Sequence, residues 1–109
     1  MAKHTFKIWQ IIGANKDFMD YAFEDFSATI KKQGGDAFPR ERYTRTWLEE
    51  TEAYPQPDDI YERFNTDHPE AYRGRSLSVS DLVEIDGELF FCDNVGWKQV
   101  RWKEAGEDE

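Results

Sequence analysis

The chain has 109 residues, a length that predicts one domain with a single hydrophobic core. Aromatic residues make up 16% of the chain, which excludes the composition of a disordered protein even though 34% of the residues are charged. The net charge of −9 disfavours direct binding to the phosphates of nucleic acids.

The N-terminal part of the chain predicts a strand followed by a helix. Thr5–Ile12 is rich in β-branched and aromatic residues, which favours a strand. Asp17–Ala22 fits either a helix or a strand. A helix is predicted over Phe23–Gln33, because Gly34 provides a stop directly after it. Three apolar side chains would share one face of this helix: Phe23, Phe26 and Ile30.

The middle of the chain predicts a second strand and a second helix. Arg42–Glu49 contains Tyr, Trp and two Thr residues, a composition typical of a strand. A loop with two prolines follows at Tyr54–Asp59. Asp58–Phe64 then predicts a short helix, since Ile60 and Phe64 are four residues apart and share a face.

The C-terminal third predicts a hairpin and a further strand. Leu77–Ile85 and Glu88–Cys92 flank the dipeptide Asp86-Gly87, which is typical of a type I′ turn with positive φ at both central positions. Trp97–Trp102 is predicted as a third strand after another turn. Pairing across the hairpin predicts these opposite residues: Val83 with Phe90, and Leu82 with Phe91.

These elements predict an α+β fold. The sheet is expected to be mainly antiparallel, with about five strands and one or two helices packed on it. Both faces of the hairpin are partly apolar, so we expect a helix on one face and a second layer on the other. Residues 1–102 are expected to form the single domain, and residues 103–109 an acidic flexible tail.

The chain carries no pattern for export or for membrane insertion. No signal-peptide stretch follows the first residues, and no apolar run approaches the about 20 residues that span a bilayer. One cysteine is present, so an internal disulfide is excluded, which agrees with a reducing compartment. We therefore expect a cytoplasmic protein without a membrane partner.

Few side chains have the spacing of a catalytic or metal site. His4 and His68 lack further ligands at metal-binding spacing, so we expect neither a metal nor a cofactor. Cys92, His68 and an acid could form a nucleophilic triad. Cys92 ends an apolar strand, however, where a buried structural thiol is the ordinary outcome. We expect no catalytic residues and no enzyme activity.

The most distinctive stretch is Arg73–Asp81, in which two arginines lie beside several hydroxyls. Such side chains could bind a phosphate or a carboxylate. The candidate contacts to an anion or a partner are Arg73, Arg75, Ser76 and Ser78. In the structural alternative, the arginines pair with local acids, Gly74 allows a bend, and Ser80-Asp81 fixes the start of the strand.

Charge is unevenly distributed along the chain. Residues 49–70 contain eight acidic residues and one basic residue, a balance of −7. An acidic surface of this kind could face a basic partner, or it could serve only to keep the protein soluble. The candidate acidic face consists of Glu49, Glu50, Glu52, Asp58, Asp59 and Glu62.

A longer pattern spans the C-terminal half. Asp59–Asn65 is followed by Asp67–Val83, and Phe91–Val100 closes the pattern after the hairpin. Over Asp58–Trp102 the chain resembles the YodL-like family of small bacterial proteins, and the N-terminal half matches only loosely. Two positions depart from the family: Arg75, where a histidine is common, and the turn at Asp93–Trp97.

The resemblance implies a domain of low-GC Gram-positive bacteria and their mobile elements, occurring alone or as an accessory module. It implies no enzyme activity and no catalytic residues. With the missing chemistry and the segregated charge, it favours a non-enzymatic interaction module. The expected partner is another protein with a basic surface. The alternative is a small-ligand or anion-binding regulatory domain that uses Arg73–Asp81.

Overall fold

The computed structural model describes residues 3–104, which form one six-stranded sheet with helices on both faces. The strands are β1 (His4–Gln10), β2 (Ala37–Phe38), β3 (Thr44–Thr51), β4 (Leu82–Ile85), β5 (Glu88–Cys92) and β6 (Trp97–Trp102). Their order across the sheet is β2-β6-β5-β4-β1-β3. All neighbours are antiparallel except β2 and β6. The helices are α1 (Phe18–Tyr21), α2 (Phe26–Gln33) and α3 (Pro57–Thr66), with a 3-10 turn at Arg40–Arg42.

The predicted α+β class and the mainly antiparallel sheet are confirmed. The sheet has six strands where about five were expected, and three α-helices accompany it where one or two were expected. The missed strand, β2, is only two residues long. So short a segment cannot display the alternation by which a strand is recognised in a sequence.

One face of the sheet is covered by α3. Phe6 and Ile8 of β1 alternate with residues that point to the other face, and they pack with Ile60 and Phe64 of α3. Phe64 is fully buried, as the spacing of α3 predicts. The predicted helix 58–64 is confirmed and extends to Pro57–Thr66, with the proline in its first turn.

The opposite face is covered by α1 and α2. Leu82, Leu89 and Phe91 of the hairpin pack there with Phe26 and Ile30 of α2. The second layer expected on one face of the hairpin is thus also helical. No helix among residues 3–104 has the length and apolar character to cross a membrane.

The start of α2 differs from the prediction. The helix begins at Phe26, because the side chain of Asp25 caps it by accepting from the Ala28 N–H at 2.8 Å. Phe23 lies outside the helix with φ +69°, and it is half exposed instead of sharing the buried face. The end is as predicted, at Gly34 with φ +83°. Phe18–Tyr21 is helical, which resolves the undecided segment.

The predicted strand Leu77–Ile85 is too long by five residues. Only Leu82–Ile85 is strand, because Asp81 N donates to Ser78 O at 3.0 Å and closes a turn. Ser80 in this turn has φ +86°. The alternation of apolar residues and serines resembles the pattern of a strand. The backbone N–H and C=O groups instead form hydrogen bonds within the turn and to Cys92 of β5.

The Asp86-Gly87 hairpin is confirmed. Asp86 and Gly87 have φ of +51° and +87°, as a type I′ turn requires. The predicted pairs, Val83 with Phe90 and Leu82 with Phe91, are those of the β4–β5 ladder. Part of the predicted tail, residues 105–109, lies outside the described residues.

We predict that replacing Gly87 with valine lowers the free energy of unfolding by more than about 1 kcal/mol, because a β-branched residue resists positive φ. Gly13→Val is the matched control, since no atom lies within 4 Å of a Cβ placed at either glycine and only Gly87 has a positive φ. Urea unfolding of both variants measures the difference. Equal losses for the two variants would contradict the role of the turn.

Candidate functional site

Asp81 lies at the centre of a buried polar cluster. Its carboxylate is fully buried and accepts three hydrogen bonds. Arg75 Nη2 donates to Asp81 Oδ1 at 2.9 Å, while the Ser78 N–H and Gln10 Nε2 donate to Oδ2 at 2.9 and 3.1 Å. These partners compensate for much of the cost of removing a carboxylate from water.

Burial raises the pKa of Asp81 to about 6, although Arg75 and the hydrogen bonds from Gln10 and Ser78 act in the opposite direction. The ion pair with Arg75 lowers the pKa of Asp81, but burial raises it by more. For a carboxylate with no exposed surface, desolvation is the larger effect. Asp81 is therefore ionised at neutral pH and becomes neutral in mild acid.

Arg75 is held inside this cluster rather than extended towards solvent. Besides Asp81, it donates from Nη1 to Ile11 O at 2.9 Å, and its guanidinium lies 5.1 Å from the ring centroid of Phe23. The backbone oxygen of Arg75 accepts from Tyr72 and from Gln10. These contacts fit the structural alternative, in which an arginine pairs with a local acid.

Gly74 has a clearer role than the bend expected from the sequence. A Cβ at this position would collide with the Tyr72 hydroxyl and the Gln10 side-chain oxygen. The loop therefore needs a glycine so that its backbone can approach the hydrogen bond between Tyr72 and Gln10.

The other candidate anion contacts do not converge. Arg73 donates to the backbone oxygens of Glu70 and Tyr72, and the Ser78 hydroxyl contacts Ser76 O at 3.4 Å. Anion binding by Arg73, Arg75, Ser76 and Ser78 stays a prediction. Arg75 Nε is buried and is one of four buried side-chain atoms within residues 3–104 that have no hydrogen-bond partner.

The six candidate acidic residues fall into two groups. Glu49 accepts from Arg63 Nη1 at 2.9 Å and from Trp47 Nε1 at 2.8 Å, and Asp58 accepts from Trp97 Nε1 at 2.8 Å. The remaining four are exposed, and none forms an ion pair in the described part of the chain. These four are Glu50, Glu52, Asp59 and Glu62.

A cleft of about 240 Å³ opens beside the first turns of α3. Asp58 and Tyr61 of α3 form one side, and the β5–β6 turn with Asp93 and Trp97 forms the other. Sequence reasoning singled out Asp58 but missed the others. Two signals were present: Tyr61 is a large aromatic on the polar side of a helix, and Asp93–Trp97 belongs to the family pattern.

Cys92 lines the same cleft but has the properties of a structural thiol. It is buried, and desolvation raises its pKa to about 12, with the negative charges of Asp81, Asp93 and Asp58 acting in the same direction. A thiol in this state is protonated at neutral pH and is a poor nucleophile. His68 packs against Tyr72, and the structure records no hydrogen bond between it and Cys92 among residues 3–104.

A model of the YodL-like domain matches residues 5–102. The chain belongs to the YodL-like domain family. The match includes β1, α1, α2 and β3, so it reaches well beyond the Asp58–Trp102 stretch that carries the resemblance in the sequence. Searches of the curated proteins and of the solved structures each found no match. Within residues 3–104, no group of three or more His, Cys, Asp or Glu side chains could hold a metal ion.

We predict that wild-type YodL-like domain loses stability between about pH 4 and about pH 6 through ionisation of Asp81. The folded pKa of about 6 exceeds the ordinary 3.8, so in this window the folded state retains a proton that the unfolded chain has released. Stability therefore falls as the pH rises, by up to about 3 kcal/mol.

The test compares urea unfolding of the wild type and Asp81→Asn across this pH range. Asparagine does not titrate, so the wild-type advantage over the variant should shrink as the pH rises. Other titrating groups cancel in the difference. Parallel pH profiles for the two proteins would mean that Arg75 keeps the pKa of Asp81 near its ordinary value.

Proposed function

We propose that this YodL-like domain is a non-enzymatic protein-interaction module that binds a basic protein through the acidic face. The observation that carries the proposal is the second group of acidic residues. Glu50, Glu52, Asp59 and Glu62 are exposed and have no ion-pair partner among the described residues, so their charge is available to an incoming surface. Arg63 is the single basic residue in segment 49–70, and it is already paired with Glu49.

Exposed charges of this kind act mainly on the rate of association. Their attraction extends over about 8 Å at physiological salt, and it steers a partner of opposite charge before contact. They contribute little to folding stability. A basic partner should therefore associate quickly at low salt and more slowly as the salt concentration rises.

The mobile-element origin belongs to the same proposal and is supported only by what the family resemblance implies. The domain would act in the cytoplasm on a host or element-encoded protein. The neighbouring genes test this part directly, because conjugation, plasmid or phage genes should surround the coding sequence. A chromosomal setting without such genes in independent strains would contradict it.

The acidic face predicts the kinetics of a matched pair of variants. Glu50→Lys/Glu52→Lys should lower the association rate several-fold at low salt, because it reverses two unpaired charges of the acidic segment. Asp20→Lys/Glu41→Lys makes the same change in net charge away from the acidic segment and should have a smaller effect. The partner is the protein recovered with wild-type domain from the native host, and binding is followed at two salt concentrations.

Two results would contradict the proposal that the partner binds through the acidic face. An unchanged association rate for Glu50→Lys/Glu52→Lys would mean that these residues only keep the protein soluble. Equal slowing by both double variants would mean that the partner responds to net charge rather than to this face. Thermal unfolding of each variant checks that the fold is retained.

A further inference from the structure

The cleft between α3 and the β5–β6 turn has the size of a single side chain. Its volume of about 240 Å³ is below the about 300–1,000 Å³ typical of sites for cofactors and drug-sized ligands. The walls come from separate parts of the chain, so the folded sheet fixes their spacing. Besides the two carboxylates and two aromatic rings, Val79 and Asn94 line it.

The two carboxylates of the cleft are held in place by hydrogen bonds. Asp58 Oδ1 accepts from Trp97 Nε1 at 2.8 Å, and Asp93 Oδ1 accepts from the Phe26 and Asn94 N–H groups at 3.0 and 2.8 Å. The second oxygen of each carboxylate accepts no recorded hydrogen bond within residues 3–104. Within residues 3–104, Asp58 pairs with no cation, and Asp93 Oδ2 has only Lys98 Nζ at 3.9 Å.

The charge of the cleft is therefore negative. The first turn of α3 contributes a partial positive charge of about half a unit, and the carboxylates of Asp58 and Asp59 outweigh it. Desolvation raises the pKa of the Cys92 thiol most, and the negative charges of Asp81, Asp93 and Asp58 act in the same direction. This negatively charged cleft therefore favours a bound cation.

The aromatic rings restrict which cation fits. Tyr61 and Trp97 meet edge to face with their centroids 6.3 Å apart, and Tyr61 remains 40% exposed. The hydrogen bond to Asp58 holds the Trp97 indole in position. A guanidinium group stacks on aromatic faces, is weakly hydrated and presents several donors in a plane, whereas an ammonium group is a compact and strongly hydrated charge.

We propose that this cleft binds an arginine side chain of the basic partner, with the guanidinium between Asp58 and Asp93 and stacked on the ring of Tyr61 or Trp97. The inference rests on the proposed function, because it supplies the specific contact to which the acidic face would steer the partner. The exposed carboxylates of the acidic segment would set the rate of encounter, and the cleft would hold one side chain of the partner in a fixed position.

The test is an NMR titration of ¹⁵N-labelled domain with the capped tripeptide acetyl-Gly-Arg-Gly-amide. Saturable shifts are expected at the Trp97 indole N–H and at the Asn94 and Gly96 amides, with a dissociation constant in the millimolar range, as suits one side chain. The lysine tripeptide should bind more weakly. The citrulline tripeptide, which has nearly the same shape without the charge, should produce no saturable shift.

A matched pair of variants separates the cleft from general charge attraction. Asp58→Asn and Asp59→Asn remove the same charge from the same helical turn, and asparagine can still accept the Trp97 hydrogen bond. Asp58→Asn should weaken arginine binding by about tenfold or more, and Asp59→Asn much less. Lys98→Met should strengthen it by removing the competing cation.

Equal weakening by the two aspartate variants, or equal binding of the citrulline tripeptide, would overturn the proposal. Tighter binding of the lysine tripeptide would overturn the assignment to arginine. The kinetic test with Glu50 and Glu52 is independent of these results. If the tripeptide fails to bind while that kinetic effect is present, the proposal of an arginine site in the cleft is wrong and the proposal of binding through the acidic face is retained. If the tripeptide binds but the kinetic effect is absent, the cleft is an arginine site and the acidic face does not steer the partner.

Discussion

The fold depends on compensation of one buried charge, the carboxylate of Asp81. The carboxylate has no exposed surface, so each of its oxygens must find a donor inside the protein. Arg75 and the Ser78 N–H come from the loop before β4, and Gln10 comes from the end of β1. The backbone of Asp81 also accepts from the Cys92 N–H at 2.9 Å, which ties the cluster to β5.

The same loop connects the two sides of the sheet. Tyr72, in the core under α3, donates to Gln10 and to Arg75 O. Tyr43, in the core under α1 and α2, donates to Ser80 O at 3.1 Å. These hydrogen bonds tie the loop to the cores on both sides of the sheet. Arg73 and Arg75 both donate to groups of the protein itself. In the cleft beside α3, Asp58 and Asp93 each have one oxygen for which no hydrogen bond is recorded among residues 3–104.

Local signals predicted most of the secondary structure correctly. The Asp86-Gly87 turn is specified by its backbone conformation, so the hairpin and its register could be read from the sequence. The buried face of α3 followed from the spacing of Ile60 and Phe64. In both cases the residues that decide the structure are neighbours in the chain.

Contacts between distant residues contribute to several of the errors. Phe23 was assigned to α2, but its N–H donates to Ser80 Oγ at 2.9 Å, which holds it outside the helix. Leu77 was assigned to a strand, but its N–H donates to the side chain of Asn65. The cleft was missed for the same reason, since its walls are far apart in the sequence and the ring contact of Tyr61 with Trp97 exists only in the folded protein.

Native-state hydrogen exchange at neutral pH tests most directly whether the Asp81 cluster is part of the cooperative core. The Ser78 N–H donates to the Asp81 carboxylate, and the Ser80 N–H donates to Cys92 O. Both amides should exchange only by global unfolding, as slowly as the central amides of β1. If they exchange as fast as the amide of exposed Val95 while β1 stays protected, the loop opens locally and the fold does not depend on Asp81.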